Sequence, residues 1–215
     1  MSGYYTVKQG DHISSITKAY GFTDWETIWN DPNNAELKQL RTNPNVLYPG
    51  DQVYIPEKEP RLEPRPTEAR HIFKKHKPKL KLRLVLEDLY EEPIKNANCD
   101  LIIDGTTYAV TTDGDGKVEQ IINADAKSGT LIIKDPQTPF QSDVMPIKIG
   151  YLDPVEEVSG QIGRLDNLGY FPGDGTTDPD QFKSAIEEFQ CDNGLAVDGV
   201  CGAGTQAKLK EIHGC

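Results

Sequence analysis

Few side chains in this sequence are spaced for bond-making chemistry. His213 and Cys215 lie two residues apart. A thiol nucleophile needs a base, oxyanion donors and a scaffold that holds them, and the flanking sequence supplies no pattern for these. No His-Glu-x-x-His, Gly-x-Ser-x-Gly or paired His/Asp set occurs, so the sequence predicts no catalytic residue, no metal site and no cofactor. Asp113-Gly114-Asp115-Gly116 begins with the acidic spacing of a calcium loop. The match then fails, with Lys117 at position 5, Val118 at position 6 and Ala124 at position 12, where an EF-hand needs an acid, a glycine and a glutamate. The run reads as a tight turn. The acidic pairs Glu91-Glu92 and Glu156-Glu157 read as solvated faces, and His71 and His76 as exposed residues of a basic stretch. His12 stands alone and reads as a polar residue at a helix start. Trp25 and Trp29, four apart, could stack on a sugar, but aromatics on a short helix of a small domain read as core.

These residues sit in a chain of 215 residues with 36% hydrophobic content and a formal net charge of -11. Phosphate backbones require clustered Lys and Arg, so an acidic chain is not expected to bind nucleic acid. No run of about 18 apolar residues occurs, which excludes a membrane-spanning helix and membrane insertion by one. The start, Met1-Ser2-Gly3-Tyr4-Tyr5, lacks the basic and apolar regions of a secretory leader. The expectation is synthesis in the cytoplasm without a signal peptide, with action at the cell wall or periplasm or export by a specialised secretion machine. Three of the four cysteines, Cys191, Cys201 and Cys215, crowd the end of the chain. Too few for a disulfide framework, they suggest one local bridge. Cys191–Cys201 is the candidate and Cys201–Cys215 the competing pairing.

Charge and proline content divide the chain. Residues 61–82 hold eight basic and two acidic residues, and the block begins among Pro56, Pro60, Pro64 and Pro66. Spaced prolines favour extended chain, so residues 57–70 read as a linker. Lys74, Lys75, Lys77, Lys79 and Lys81 precede or alternate with Leu80, Leu82 and Leu84, the pattern of a strand whose charged face protects an edge.

Before the linker, Tyr5-Thr6-Val7 reads as a strand, Ile13, Ile16, Ala19 and Tyr20 recur at helical spacing, and Gly21 stops the helix. Asp24 caps a second helix carrying Trp25, Ile28 and Trp29, and Gln52–Ile55 closes the unit as a strand after the Pro49-Gly50-Asp51 turn. Tyr5-Thr6-Val7-Lys8-Gln9-Gly10-Asp11, then Ile13 and Ile16, then Tyr48-Pro49-Gly50-Asp51-Gln52-Val53-Tyr54-Ile55-Pro56 resemble a LysM domain. The resemblance implies binding of N-acetylglucosamine polymers, chiefly peptidoglycan or chitin, between two loops. Carried to this sequence, those loops are Gly10, Asp11, His12 and Ile13, and Asn45, Val46, Leu47, Tyr48 and Pro49. Two features depart from the family: His12 replaces a small hydroxyl residue, and Asp31–Asn43 is long enough for an extra helical turn over Ala35–Leu40.

After the linker, short apolar segments alternate with turns. Lys79–Leu86 has period two, Cys99–Ile103 and Tyr108–Thr112 flank Asp104-Gly105 as a hairpin, and Lys117–Ile122, Leu131–Ile133 and Val144–Ile149 follow. About seven strands suggest a β-sandwich. The pattern is similar to transthyretin-like and carboxypeptidase-regulatory-like sandwiches, which implies a spacer or docking module.

In the last segment, Val158, Ile162 and Leu165 share a helical face. Asp178-Pro179 starts a second helix with Phe182, Ala185, Ile186 and Phe189 on one stripe, and Thr205 caps a third with Leu209 and Ile212. Gln161–Tyr170, Ala185–Gln190 and Asn193–Thr205 resemble the three-helix peptidoglycan-binding domain of bacterial hydrolases. That resemblance carries a second wall-binding site onto Asp198, Gly199 and Thr205.

The expected architecture is multidomain α+β. It comprises a βααβ module at 1–56, a linker at 57–70, a sandwich at 71–152 and a three-helix module at 153–215. The expected function is non-catalytic peptidoglycan binding. The layout also resembles small proteins associated with type VI secretion or phage-tail-like injection systems, which implies an adaptor or cargo role with a spike or effector protein as partner. The alternatives are a peptidoglycan hydrolase or transpeptidase whose chemistry the motifs do not expose, and an adaptor whose wall modules no longer bind sugar.

Overall fold

The computed structural model describes residues 2–58, 64–72, 78–88, 90, 92–134, 144–175 and 177–215. Lys74, Lys75, His76, Lys77 and Glu91, and part of the expected linker, lie outside these residues. The apolar residues gather in three separate buried clusters, and the fold is α+β.

The first cluster is built by β1 (Gly3–Thr6) and β2 (Gln52–Ile55), paired antiparallel with Tyr5 opposite Val53, and by α1 (Ile13–Ala19), α2 (Glu26–Trp29) and α3 (Ala35–Leu40). Ile13, Ile16, Ile28, Trp29, Leu47 and Val53 fill it, and Trp25 packs against it. Both tryptophans are therefore core residues. The extra turn expected over Ala35–Leu40 is α3, entered through a 3₁₀ turn at Pro32–Asn34. Its anchor is Asn34, whose amide nitrogen donates to the carbonyls of Ile28 at 2.7 Å and Tyr54 at 2.9 Å while its oxygen accepts from Tyr54 N–H at 2.7 Å. A buried side chain that satisfies three backbone groups ties the insertion to β2.

The middle cluster lies between a two-stranded sheet, β3 (Lys79–Val85) with β6 (Lys117–Asn123), and a four-stranded sheet ordered β5 (Thr106–Thr111), β4 (Asn98–Ile103), β7 (Ser128–Ile133), β8 (Val144–Lys148). Leu80, Leu82 and Leu84 point into the core while Lys79, Lys81 and Arg83 face water, and Glu119 takes Lys81 and Arg83 at 2.8 Å each. Asp104 and Gly105, with φ of 45° and 79°, form the β4–β5 hairpin turn. Positive φ at both central positions matches the strand twist. The Asp113 carboxylate accepts from the N–H groups of Asp115 at 2.9 Å and Lys117 at 2.8 Å, so it closes a turn.

The last cluster is formed by α4 (Val158–Asn167), α5 (Pro179–Asp192) and α6 (Ala203–His213). Asp178 caps α5 by accepting from Gln181 N–H at 3.0 Å, with Pro179 in the first turn. Three expectations are corrected. The buried face of α4 is Gly160, Gln161, Arg164 and Leu165, and Val158 is 50% exposed. Helix α6 is capped by Gly202, and Thr205 lies inside it. Ile212 is 47% exposed. For Val158 and Ile212 helical spacing identified a stripe, but the packing partner selected its rotation.

Candidate functional site

Lys8–Asp11 forms a turn closed by Asp11 N–H on the Lys8 carbonyl. The Asp11 carboxylate also accepts from Tyr5 Oη at 2.6 Å and Lys8 N–H at 2.9 Å. Burial and then this bond push the Tyr5 phenol up to about 12. The facing loop is braced by Asp51, which accepts Arg41 Nε at 2.8 Å, a second Arg41 nitrogen at 3.0 Å and Tyr48 N–H at 2.9 Å. Arg41 and Asp51 are nearly buried, and Arg41 also lies over the Tyr48 ring at 5.8 Å. The two loops touch directly: Ile13 N–H donates to the Pro44 carbonyl at 3.2 Å and Ser14 Oγ to Asn45 Oδ1 at 3.4 Å.

Of the nine residues carried over from the LysM pattern, His12, Ile13, Val46 and Leu47 are buried; Gly10, Asp11, Tyr48 and Pro49 are partly exposed; and Asn45 is exposed. Ile13 is 0% exposed and Leu47 3%, so their side chains are core. The loop 10–12 is covered by the stretch between β8 and α4. Gly150 abuts Gly10 so closely that a Cβ there would stand 2.6 Å from the Gly10 carbonyl oxygen. The Tyr151 ring lies on Gly10, and Gln9 Nε2 reaches Asp153 Oδ1 at 3.4 Å.

Beside this seam a cleft of about 420 Å³ opens between the 40–46 loop and the C-terminal helices. Leu40, Arg41 and Val46 line one wall, and Glu156, Lys210 and Cys215 the other. Glu156 binds Lys210 at 3.0 Å. Burial alone would raise the Glu156 carboxyl, but Lys210 and then more distant Arg41 hold it below the usual carboxylate range. Arg164 lies buried in the cleft wall, 1% exposed, and its guanidinium donates to the carbonyls of Cys215 at 2.8 Å, Asp153 at 2.9 Å and Gly160 at 2.7 Å. It thus knits α4, the covering segment and the end of the chain together. Sequence reasoning missed Arg164, because an arginine in an amphipathic pattern reads as exposed.

His213 and Cys215 do meet. Cys215 Sγ is 3.3 Å from His213 Nδ1, and Asn167 Nδ2 is 3.0 Å from His213 Nε2. Burial, aided by Arg164, pushes the imidazole down to about 4, and burial raises the thiol despite Arg164. At neutral pH both groups are uncharged, the opposite of an activated thiolate–imidazolium pair.

In the C-terminal module, Asp198, Gly199 and Thr205 surround Gln190. Gln190 Nε2 donates to Asp198 Oδ1 at 2.8 Å and Thr205 Oγ1 at 3.0 Å, and Gln190 Oε1 accepts from Asp198 N–H at 2.9 Å and Gly199 N–H at 3.0 Å. Their polar groups serve the fold of this loop. Cys191 and Cys201 carry free thiols, so the bridge expected between them is absent here. Among the described residues, no group of three or more His, Cys, Asp and Glu is placed to hold a metal ion, and no helix is long and apolar enough to cross a membrane.

Residues 5–38 match the LysM domain family. Residues 163–209 match the family described as "Putative peptidoglycan binding domain". No curated protein and no solved structure matches the chain. Both recognised families are binding domains, and together they support peptidoglycan binding at the cell wall.

Proposed function

We propose that this protein is a non-catalytic peptidoglycan-binding protein that grips N-acetylglucosamine-containing glycan with its N-terminal module and takes a second hold on the wall with its C-terminal module. One observation carries this reading: two wall-binding families occupy opposite ends of one chain, at residues 5–38 and 163–209. Two weak sites on one chain raise avidity when both reach the polymer. On the first module the exposed or partly exposed residues of the pattern are Gly10, Asp11, Asn45, Tyr48 and Pro49, and Arg41 and Val46 of the same module line the cleft. The six strands found between the modules among the described residues supply a docking platform for a protein partner. The resemblance of the layout to injection-system proteins supports carriage to the wall as adaptor or cargo.

Sedimentation of the full chain with insoluble peptidoglycan tests the reading. Co-pelleting that soluble N-acetylglucosamine oligomers compete away is expected. A chain that stays in the supernatant at every pH and salt concentration refutes it.

The meeting of Cys215, His213 and Asn167 favours a second reading, acyl transfer at Cys215 in the cleft. The uncharged state of the pair weighs against it. Release of soluble wall fragments that disappears in Cys215→Ala would establish it.

A further inference from the structure

The loop that opens the first module's groove is the loop the rest of the chain covers. We propose that the segment 150–153 seals this groove, that the module grips glycan only after the seam opens, and that a proton taken up by His12 drives the opening. This rests on the peptidoglycan-binding reading above and assigns regulation to that site.

The seam is built from close contacts. Gly150, at φ of 80°, leaves no room for a side chain: a Cβ would stand 2.6 Å from the Gly10 carbonyl oxygen and 3.0 Å from His12 Cδ2. The Tyr151 ring lies 3.3 Å from where a Cβ on Gly10 would be. Gln9 bonds Asp153 at 3.4 Å, and Lys18 of α1 pairs with Asp125 in the turn between β6 and β7. Contacts from both the middle and the last segments therefore hold the first module closed.

Behind the seam, His12 is 1% exposed, and neither ring nitrogen makes a hydrogen bond of normal length among the described residues, although Asn45 stands close enough to favour the proton. A neutral imidazole offers one donor and one acceptor, and the closed form leaves them weakly met. Adding a proton puts a charge into the same space. Few neighbours offset it. On its own loop, Asp11 favours the proton, but its carboxylate already accepts from Tyr5 and Lys8. On α1, Lys18 is cationic and paired with Asp125. The facing loop 43–46 carries no titratable side chain, although Asn45 favours the proton. The covering segment 150–153 brings Tyr151 and Asp153, and Asp153 is engaged by Gln9 and by Ser159 Oγ at 2.6 Å.

The direction follows from linkage. Burial lowers the His12 pKa from its ordinary 6.5 in the closed form, while an exposed His12 in the open form titrates near that value. The closed form's advantage is complete above about pH 6.5 and is lost as pH falls below it, by about tenfold in the open-to-closed ratio per pH unit until the closed form also protonates.

The test is pelleting of the full chain with insoluble peptidoglycan between about pH 7.5 and about pH 5.5. Wild-type affinity is expected to rise across the acid limb, by at most about tenfold. Gly150→Val, which cannot close the seam, is expected to bind at neutral pH as the wild type does in acid; Tyr151→Ala serves if the valine variant does not fold. His12→Leu, which cannot take a proton, is expected to lose the acid rise. Opening variants that bind no better than wild type at neutral pH overturn the seal. An acid rise that survives in His12→Leu overturns the assignment of the proton. No pelleting by any form at any pH instead refutes peptidoglycan binding itself.

Discussion

Gln190→Leu is the most informative single change, because one side chain organises the loop between α5 and α6. Gln190 is 1% exposed. Its nitrogen donates to Asp198, Val200 and Thr205, and its oxygen accepts two backbone N–H groups. The two N–H donors fix which end of the amide is oxygen. Leucine keeps the volume and removes every bond. A net bond is worth about 1 kcal/mol, and a buried group left unmet costs about 1–3 kcal/mol. Asp198 and Val200 are exposed and can turn to water, and Thr205 Oγ1 already lies 3.4 Å from the Val200 carbonyl. That leaves a loss of about 2–4 kcal/mol. Trp25 and Trp29 both belong to the first module's cluster, so their fluorescence reports that module alone. Hydrogen exchange at Ile186, Phe189 and Leu209 amides reports the last one. Protection there should fall by about 1.5 to 3 orders of magnitude while the tryptophan transition stays in place. A fall of less than about fivefold would refute the reasoning, and so would an equal loss of tryptophan-monitored stability.

Asp51→Asn breaks a nearly buried ion pair with Arg41 and should cost about 3–5 kcal/mol in urea unfolding followed by tryptophan fluorescence. Tyr5, held neutral up to about pH 12 against 10.0 in the unfolded chain, contributes stability that is full below about pH 10 and lost as pH rises through 12. Tyr5→Phe should remove that alkaline component in the same unfolding assay. Cys191 is exposed, Cys99 is 2% exposed, and burial pushes the Cys201 thiol up to about 11. Alkylation at about pH 8 followed by peptide mass mapping should therefore find Cys191 modified well before Cys99 and Cys201. In an assay for release of soluble wall fragments from peptidoglycan, wild type and Cys215→Ala should be indistinguishable.

Much of the fold was legible because its signals are local. Asp178-Pro179 starts α5, Asp104-Gly105 turns the hairpin, and the Lys/Leu alternation of β3 assigns its faces without reference to partners. The candidate site was legible only as a pair of loops. The sequence placed Ile13 and Leu47 on a sugar surface because they flank the right turns. In the fold their side chains reach inward, so polar substitution there would test folding instead of binding. Asn34 and Arg164 gave no warning, since each satisfies carbonyls far from it in sequence.

What the sequence determined by itself is the identity of the two end modules, because turn glycines, caps and apolar periodicity act over a few residues. Tertiary structure alone decided that Gly150 and Tyr151 would lie on Gly10 and that His12 would be buried behind them. Burial is set by which surfaces meet. Residues about 140 positions apart, such as Gln9 and Asp153 with 144 between their numbers, meet only once each cluster has formed and the modules have packed together.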